Sequence, residues 1–240
     1  MIHSQDLDRF LIVLLVTTLA VAFFTQPGHG AETPSAIIKA YADKTVSTLR
    51  DTNLNRDGNF NPLRDKLLSQ LKPIIDFKLM TRSALGPAAR SVNQDQLKEL
   101  TSVFRPLVVR LYTDRLLEYM ALKDPPWVLD KIVVKDQEIR GGGSYAMVRS
   151  TAQVHRGDNE RELSMDFKMY KQKNRWVVYD IVFEGVSMVE NYRSQFSSVL
   201  ANNSVETLTE KLRDNLEKLR SESLEDRVDT GTESPDKATD

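Results

Sequence analysis

The first half of the chain carries hydrophobic residues at the three- and four-residue spacing of amphipathic helices. Thr33-Pro34 and Asn61-Pro62 each stand before such a segment, where a capping residue is followed by a proline suited to the first helical turn. Asp76 is placed to cap a third, short helix, and Gly86 is placed to end it. We therefore expect three helices in this part of the chain.

A longer helix is predicted to follow, beginning at the capping box formed by Asn93 and Gln96. Its apolar stripe comprises Leu97, Leu100, Phe104, Leu107, Val108, Leu111, Tyr112, Leu116 and Tyr119. Pro106 interrupts the stripe, and we expect a bend near residues 102–106 because proline removes a backbone donor inside a helix.

From Trp127 onward, hydrophobic and polar residues alternate with the period of two that is typical of β-strands. The predicted strands are residues 131–139, 145–156, 161–171 and 175–184. The turn sequences between them are Gly141-Gly142-Gly143, Gly157-Asp158-Asn159 and Lys173-Asn174. Connections this short predict an antiparallel meander.

The last two predicted strands differ in their patterns. The third alternates cleanly, and its apolar face comprises Leu163, Met165, Phe167 and Met169. The fourth is apolar on both faces, so we expect it to be covered on both sides or to line a cavity.

Two helices are predicted to close the domain, capped by Ser187 and Ser204. Residues 221–240 then contain seven acidic residues, two basic residues and no aromatic residue, which is typical of a disordered tail. The predicted fold class is α+β, with an antiparallel four-stranded twisted meander packed against a helical N-terminal half and two C-terminal helices.

The first thirty residues are expected to be a signal peptide. Residues 10–24 form an apolar run of 15, shorter than the roughly 20 residues that span a bilayer. Pro27 and the small residues around Gly30 follow it as a cleavage site. The alternative is an uncleaved membrane anchor, and in both cases the folded domain, residues 31–220, leaves the cytoplasm.

The composition disfavours several functional classes. The chain has no cysteine, which excludes disulfides and thiol chemistry, and His155 is its only histidine outside the signal peptide, which excludes a histidine-cluster metal site. Its 33 basic and 34 acidic residues give a net charge of -1, so no charge excess favours nucleic acid. Gly141-Gly142-Gly143 lacks the Lys-Ser/Thr of a phosphate loop. We expect neither enzymatic activity nor a bound metal.

Two stretches carry more specific patterns. The first is LKPIIDFKLMTRSALG (71–86), continued by Gln96, Phe104 and Tyr112, and the second is WVVYDIVFEGVSMVENYRSQF (176–196). Together they resemble the MlaC, or toluene-tolerance, family of periplasmic phospholipid carriers. In that family a strand of the form W-x-x-Y-D runs into E-G-V-S and a helix that often starts with N-Y-R, and the resemblance covers residues 33–220.

The resemblance implies a periplasmic carrier without a cofactor, whose cargo is phospholipid. It implies an outer-membrane lipoprotein complex as one partner and an inner-membrane ABC transporter with MCE-domain subunits as the other. One branch of the family is associated with hopanoid synthesis, so a hopanoid is an alternative cargo. A periplasmic adaptor with a filled core and, less favoured by the residue inventory, an enzyme are the alternative functions.

A lipid carrier needs a dry cavity, because each exposed methylene costs roughly 0.8 kcal/mol and a ~16-carbon tail therefore costs about 13 kcal/mol in water. We expect this lipid cavity between the sheet and the helices, above all the long helix. The residues predicted to contact the tails are Val108, Leu111, Tyr112, Leu163, Met165, Phe167, Met169 and Val178. The alternative for each of them is a place in ordinary packed core.

Overall fold

The computed structural model describes residues 32–54, 60–121 and 127–221, and at Thr52 and residues 115–121 it describes the backbone alone. The predicted signal peptide and residues 222–240 of the predicted acidic tail lie outside these residues, while Ser221 is the last residue of a described helix. Six α-helices are present in the described part: α1 (Pro34–Leu49), α2 (Asn61–Leu71), α3 (Phe77–Leu85), α4 (Gln94–Ala121), α5 (Met188–Leu200) and α6 (Val205–Ser221). None of the described helices is both long enough and apolar enough to cross a bilayer.

The strands form one antiparallel sheet in sequence order. They are β1 (Val128–Arg140), β2 (Tyr145–Arg156), β3 (Asn159–Gln172), β4 (Arg175–Phe183) and β5 (Val186–Ser187). The α+β class and the meander are confirmed, but the prediction of four strands was wrong. After β4, the chain turns tightly at Glu184-Gly185, both at positive φ, and pairs two more residues with β4.

The helix ends follow the predicted caps. The side chain of Asp76 accepts a hydrogen bond from the Leu79 amide at 2.9 Å, and α3 ends at Gly86 with a φ of 56°. Asn93 and Gln96 form a reciprocal box, in which each side chain accepts from the other residue's amide at 2.9 Å. The long helix α4 is assigned as one helix through Pro106.

The strand pairing is irregular at several positions of the sheet. Lys135 of β1 and Tyr179 of β4 are each an extra residue in the pairing with the adjacent strand. On β2 and β3, side-chain hydrogen bonds replace the backbone pairing at Ser150. Ser150 Oγ donates to the Met165 carbonyl, and the Ser150 amide donates to Asp166 Oδ1. Bulges bend a strand and increase its twist, so the sheet is bent across its middle.

The core consists of one helical cluster and two clusters on the sheet. The helical cluster is built from α3, α4, α5 and α6 around Phe104 and Phe196. On the sheet, the first cluster joins α1 and Ile74 to Met169 and Val178, and the second joins the end of α1 and the start of α2 to the first strands. The helices therefore cover one side of the sheet, which is called the helix-facing side below.

Candidate functional site

The strand register places most of the predicted tail-contacting residues on the helix-facing side. Across the strands, Met169 of β3 lies opposite Val178 of β4, and two positions further along β3, Phe167 lies opposite Ile181. Met165 in turn lies opposite Phe183, the last residue of β4. The predicted face of the third strand is thus confirmed as one continuous apolar surface that is shared with β4.

Burial falls steadily along this surface. Met169 is fully buried and Val178 is 2% exposed, whereas Phe183, near the other end, is 42% exposed. Five residues of this surface are partly buried or exposed, and together they are called the apolar strip. They are Leu163, Met165, Phe167, Ile181 and Phe183. Leu163 and Met165 pack on the second sheet cluster, and Phe167 and Ile181 pack on the first, so the surface is most exposed at Phe183, which is its open end.

The packing of the helices explains why the strip is incompletely covered. Helix α1 lies along β1 and reaches β2, and α2 packs on α1. Within the described part of the chain, the main packing partners of α4 are α6, α3 and α2 rather than the sheet. Of the hydrophobic residues that the structure describes, Ile181 and Ile75 pack against both the helical cluster and the first sheet cluster. The helical cluster therefore meets this side of the sheet around these two residues.

The three predicted residues on α4 have different environments. Val108 is buried in the helical cluster, against which Ile181 of the strip also packs. One turn later Leu111 is half-buried and Tyr112 is 44% exposed. Burial strongly raises the pKa of Tyr192, and the neighbouring phenol of Tyr112 adds to this shift. Tyr112 therefore lies close to α5, where the stripe of α4 leaves the helical core.

Sequence reasoning missed two members of the strip, Ile181 and Phe183. Counting in twos from Val178 predicts that Asp180 and Val182 share its face. The bulge at Tyr179 shifts the alternation by one residue, so Ile181 and Phe183 take those places instead. Because β4 is apolar at almost every position, its sequence gives no signal of the shift.

Asp180 fastens β4 to the start of α5. Its carboxylate is 1% exposed and accepts from Ser187 Oγ at 2.6 Å and from the Val189 amide at 3.0 Å. Lys168 Nζ lies 2.9 Å from it. Burial by itself would lower the pKa of Lys168, but Asp180 and then Glu190 outweigh that effect and raise the pKa. Lys168 is thus the ion-pair partner of Asp180, while Arg193 donates a hydrogen bond to the Ser83 carbonyl of α3.

The Y-D…E-G-V-S segment of the sequence thus has a structural explanation. The aspartate and the serine together satisfy amide groups at the N-terminus of α5, where a negative charge is favoured by the helix dipole. These hydrogen bonds, called the clamp, fix the start of α5 to β4. Because α5 belongs to the helical cluster, the clamp also helps to position that cluster beside the strip.

Polar side chains of the described residues line clefts outside the apolar strip. No group of three metal-ligating side chains occurs among these residues. Two clefts among the described residues have a volume of about 210 Å³ each, and neither is lined by the apolar strip. One lies between Arg64, Arg110 and residues of α6, and the other lies around Asp130, Glu160, Arg161 and Glu162.

Comparison with known proteins agrees with this geometry. Residues 39–214 match the family model described as MlaC protein. The chain is similar to the intermembrane phospholipid transport system binding protein MlaC of Haemophilus influenzae, with 23% identity over 204 residues, which are 83% of this chain and 90% of that protein. It is also similar to a phospholipid-binding protein from Ralstonia solanacearum solved in complex with a phospholipid, with 24% identity, a TM-score of 0.63, and coverage of 78% of this chain and 98% of that one.

Proposed function

This chain belongs to the MlaC family, and from that membership we propose that it is a periplasmic lipid carrier that shuttles phospholipid between the outer and inner membranes. In this proposal it is the soluble component of an MCE-type ABC transport system. Its partners are an inner-membrane transporter with MCE-domain subunits and an outer-membrane lipoprotein complex.

The observation that carries the proposal is the apolar strip. Met169 and Val178 close one end of it, and Phe183 at the other end is 42% exposed. A protein with a merely structural core gains roughly 25 cal/mol for each Å² of apolar surface that it buries, so a partly exposed row of Leu, Met, Ile and Phe beside the helices forgoes stability. In a carrier, the same surface is completed by the acyl chains.

A carrier of this kind needs no catalytic group. It must bind its cargo about as well as the bilayer does, because a carrier that holds lipid more tightly cannot release it. Direction then comes from the partners, which accept or supply the lipid. The proposed contacts are the residues named from the sequence, Val108, Leu111, Tyr112, Leu163, Met165, Phe167, Met169 and Val178, together with Ile181 and Phe183.

Export of the chain is part of the proposal. Residues 1–30 act as the signal peptide, and cleavage after Gly30 releases a chain that starts at Ala31. Sequencing the N-terminus of protein recovered from its native host tests this step, and a chain that still begins at Met1 would favour the anchored form.

Extraction of the purified protein with organic solvent, followed by mass spectrometry of the extract, tests the function. We expect about one phospholipid per chain, and none from an unrelated exported protein of similar size that is purified in parallel. A hopanoid in the extract would change the cargo and keep the carrier function. An extract without lipid, obtained from folded protein that also fails to take up added phospholipid, would favour an adaptor with a filled core.

A further inference from the structure

Beyond the end of the apolar strip, one arginine lies on the same side of the sheet. Arg161 precedes Leu163 by two residues on β3, and the β2–β3 register continues from Ala152–Leu163 to Val154–Arg161 without a shift. Arg161 is therefore the next residue on the helix-facing side, about 7 Å beyond Leu163 at ~3.3 Å per residue. Its flanking residues Glu160 and Glu162 belong to the opposite face.

The guanidinium of Arg161 is stacked on an aromatic ring, at a cleft that Asp130, Glu160 and Glu162 also line. Its central carbon lies 5.3 Å from the centroid of the Trp127 ring, a cation–π arrangement. Among the described residues it forms no ion pair and no hydrogen bond, whereas Arg149 and Arg140 on the same sheet are paired with carboxylates. Stacking occupies the face of the guanidinium and leaves the N–H donors at its edge available.

The dimensions of the strip match a lipid whose phosphate lies at this arginine. From Met169 to Leu163 the strand runs about 20 Å at ~3.3 Å per residue. The tails of one leaflet occupy about 15 Å, half of the ~30 Å hydrocarbon core of a bilayer. Tails that reach the closed end at Met169 therefore end before Leu163, and the glycerol and then the phosphate follow toward Arg161.

We propose that Arg161, held over Trp127, binds the phosphate of the lipid head group and fixes the cargo tails-first, with its chain ends at Met169 and Val178. This proposal rests on the proposed function. Guanidinium groups suit the task because their planar donors bind phosphate oxygens in pairs. The site recognises the phosphodiester that all glycerophospholipids share, so it selects for a phosphate and not for one head group.

The test compares two lipids with identical acyl chains, a phosphatidylglycerol and a diacylglycerol, as competitors of a fluorescent acyl-chain probe bound to the delipidated full chain. For Arg161→Gln we expect the affinity for phosphatidylglycerol to fall about tenfold, because one charge-assisted hydrogen bond is lost. The affinity for diacylglycerol, which has no phosphate, should not change. Arg161→Lys should fall between the wild type and Arg161→Gln, because a lysine keeps the charge and loses the paired donors.

Arg175→Gln is the matched control. Arg175 is an exposed arginine of the same sheet, it lies beside Trp176 near the closed end, and its side chain is on the opposite face. This variant should bind both lipids as the wild type does. Equal losses for both lipids in Arg161→Gln, no loss for either, or the same loss in Arg175→Gln would overturn the assignment.

Two further outcomes test alternatives to a head-group site. In one alternative the protein carries no lipid, and in the other the site binds free phosphate. Wild-type protein that binds neither lipid would contradict the proposed function itself, whereas wild-type binding that is insensitive to Arg161 contradicts only the phosphate site. Excess inorganic phosphate should leave the affinity for phosphatidylglycerol unchanged. If inorganic phosphate displaced the lipid, the site would be one for free phosphate and the head-group assignment would be wrong.

Discussion

Arg193 of α5 lies across Gly86 at the end of α3, and this contact joins the two stretches of sequence that resemble the MlaC family. Arg193 Nε donates a hydrogen bond to the Ser83 carbonyl at 3.1 Å. A Cβ at position 86 would lie 3.2 Å from the Cδ of Arg193. The glycine thus leaves room for the arginine, which satisfies a carbonyl at the end of α3 and fixes α3 against α5.

Gly86→Ala is expected to destabilise the protein by about 2–3 kcal/mol, because alanine is strained at this positive φ and its methyl crowds Arg193. Urea denaturation monitored by circular dichroism measures the loss. Gly142→Ala is the control, since Gly142 also has a positive φ but no atom lies within 4 Å of the added methyl. That variant should lose only about 1 kcal/mol. Equal losses in the two variants would show that the close contact with Arg193 adds nothing.

Asp180→Asn should cost about 3 kcal/mol, because it leaves Lys168 without its buried partner and weakens the two bonds at the start of α5. The comparison is Glu162→Gln, which changes an exposed carboxylate 3.6 Å from Lys135 and should cost less than about 1 kcal/mol. Thermal unfolding of the two variants in parallel measures the difference. If Asp180→Asn were as stable as Glu162→Gln, the clamp would contribute little.

Glu138 is expected to stay ionised below its ordinary pKa of 4.5, down to a pH of about 2. Hydrogen bonds from Arg140 and then Arg149 lower its pKa from 4.5 to about 2. Any stability that these pairs add is therefore present above pH 4.5 and is lost as the pH falls toward 2. Titration of the Glu138 carboxyl by NMR measures the midpoint. In the double variant Arg140→Gln, Arg149→Gln it should return toward 4.5, and an unchanged midpoint would contradict the assigned cause.

Met165→Glu and Met169→Glu separate a cargo surface from packed core within one strand face. Met169 is fully buried, so a glutamate there carries an unpaired charge into the core at a cost of several kcal/mol, against a total stability of about 5–15 kcal/mol. That variant should fail to fold. Met165 is only partly buried in the apolar strip, where water can hydrate a charge once the cargo is gone.

For Met165→Glu we therefore expect a folded, soluble protein without bound lipid, as judged by circular dichroism and mass spectrometry of a solvent extract. Failure to fold would return Met165 to ordinary core. A folded variant that still carries the wild-type amount of lipid would place the cargo elsewhere.

The sequence by itself determined the elements and their ends. The caps at Asp76 and Asn93 form local hydrogen bonds within four residues, so no tertiary information is needed to predict them. The alternation in β3 likewise placed four alternate residues on one face, because the side-chain period of a strand is a property of its backbone. These residues are Leu163, Met165, Phe167 and Met169. The resemblance to the MlaC family likewise followed from motifs within two short stretches of sequence, residues 71–86 and 176–196.

The tertiary structure decided what those motifs do and where the candidate site opens. The bulge at Tyr179 moved Ile181 and Phe183 onto the apolar strip, and it arises from the pairing of β4 with β3 rather than from the residues of β4 alone. The partner of Asp180 is Lys168 on another strand, and Val108 is buried in the helical cluster. Each depends on contacts between residues distant in sequence, and a hydrophobic pattern records that a residue is buried but not what it is buried against.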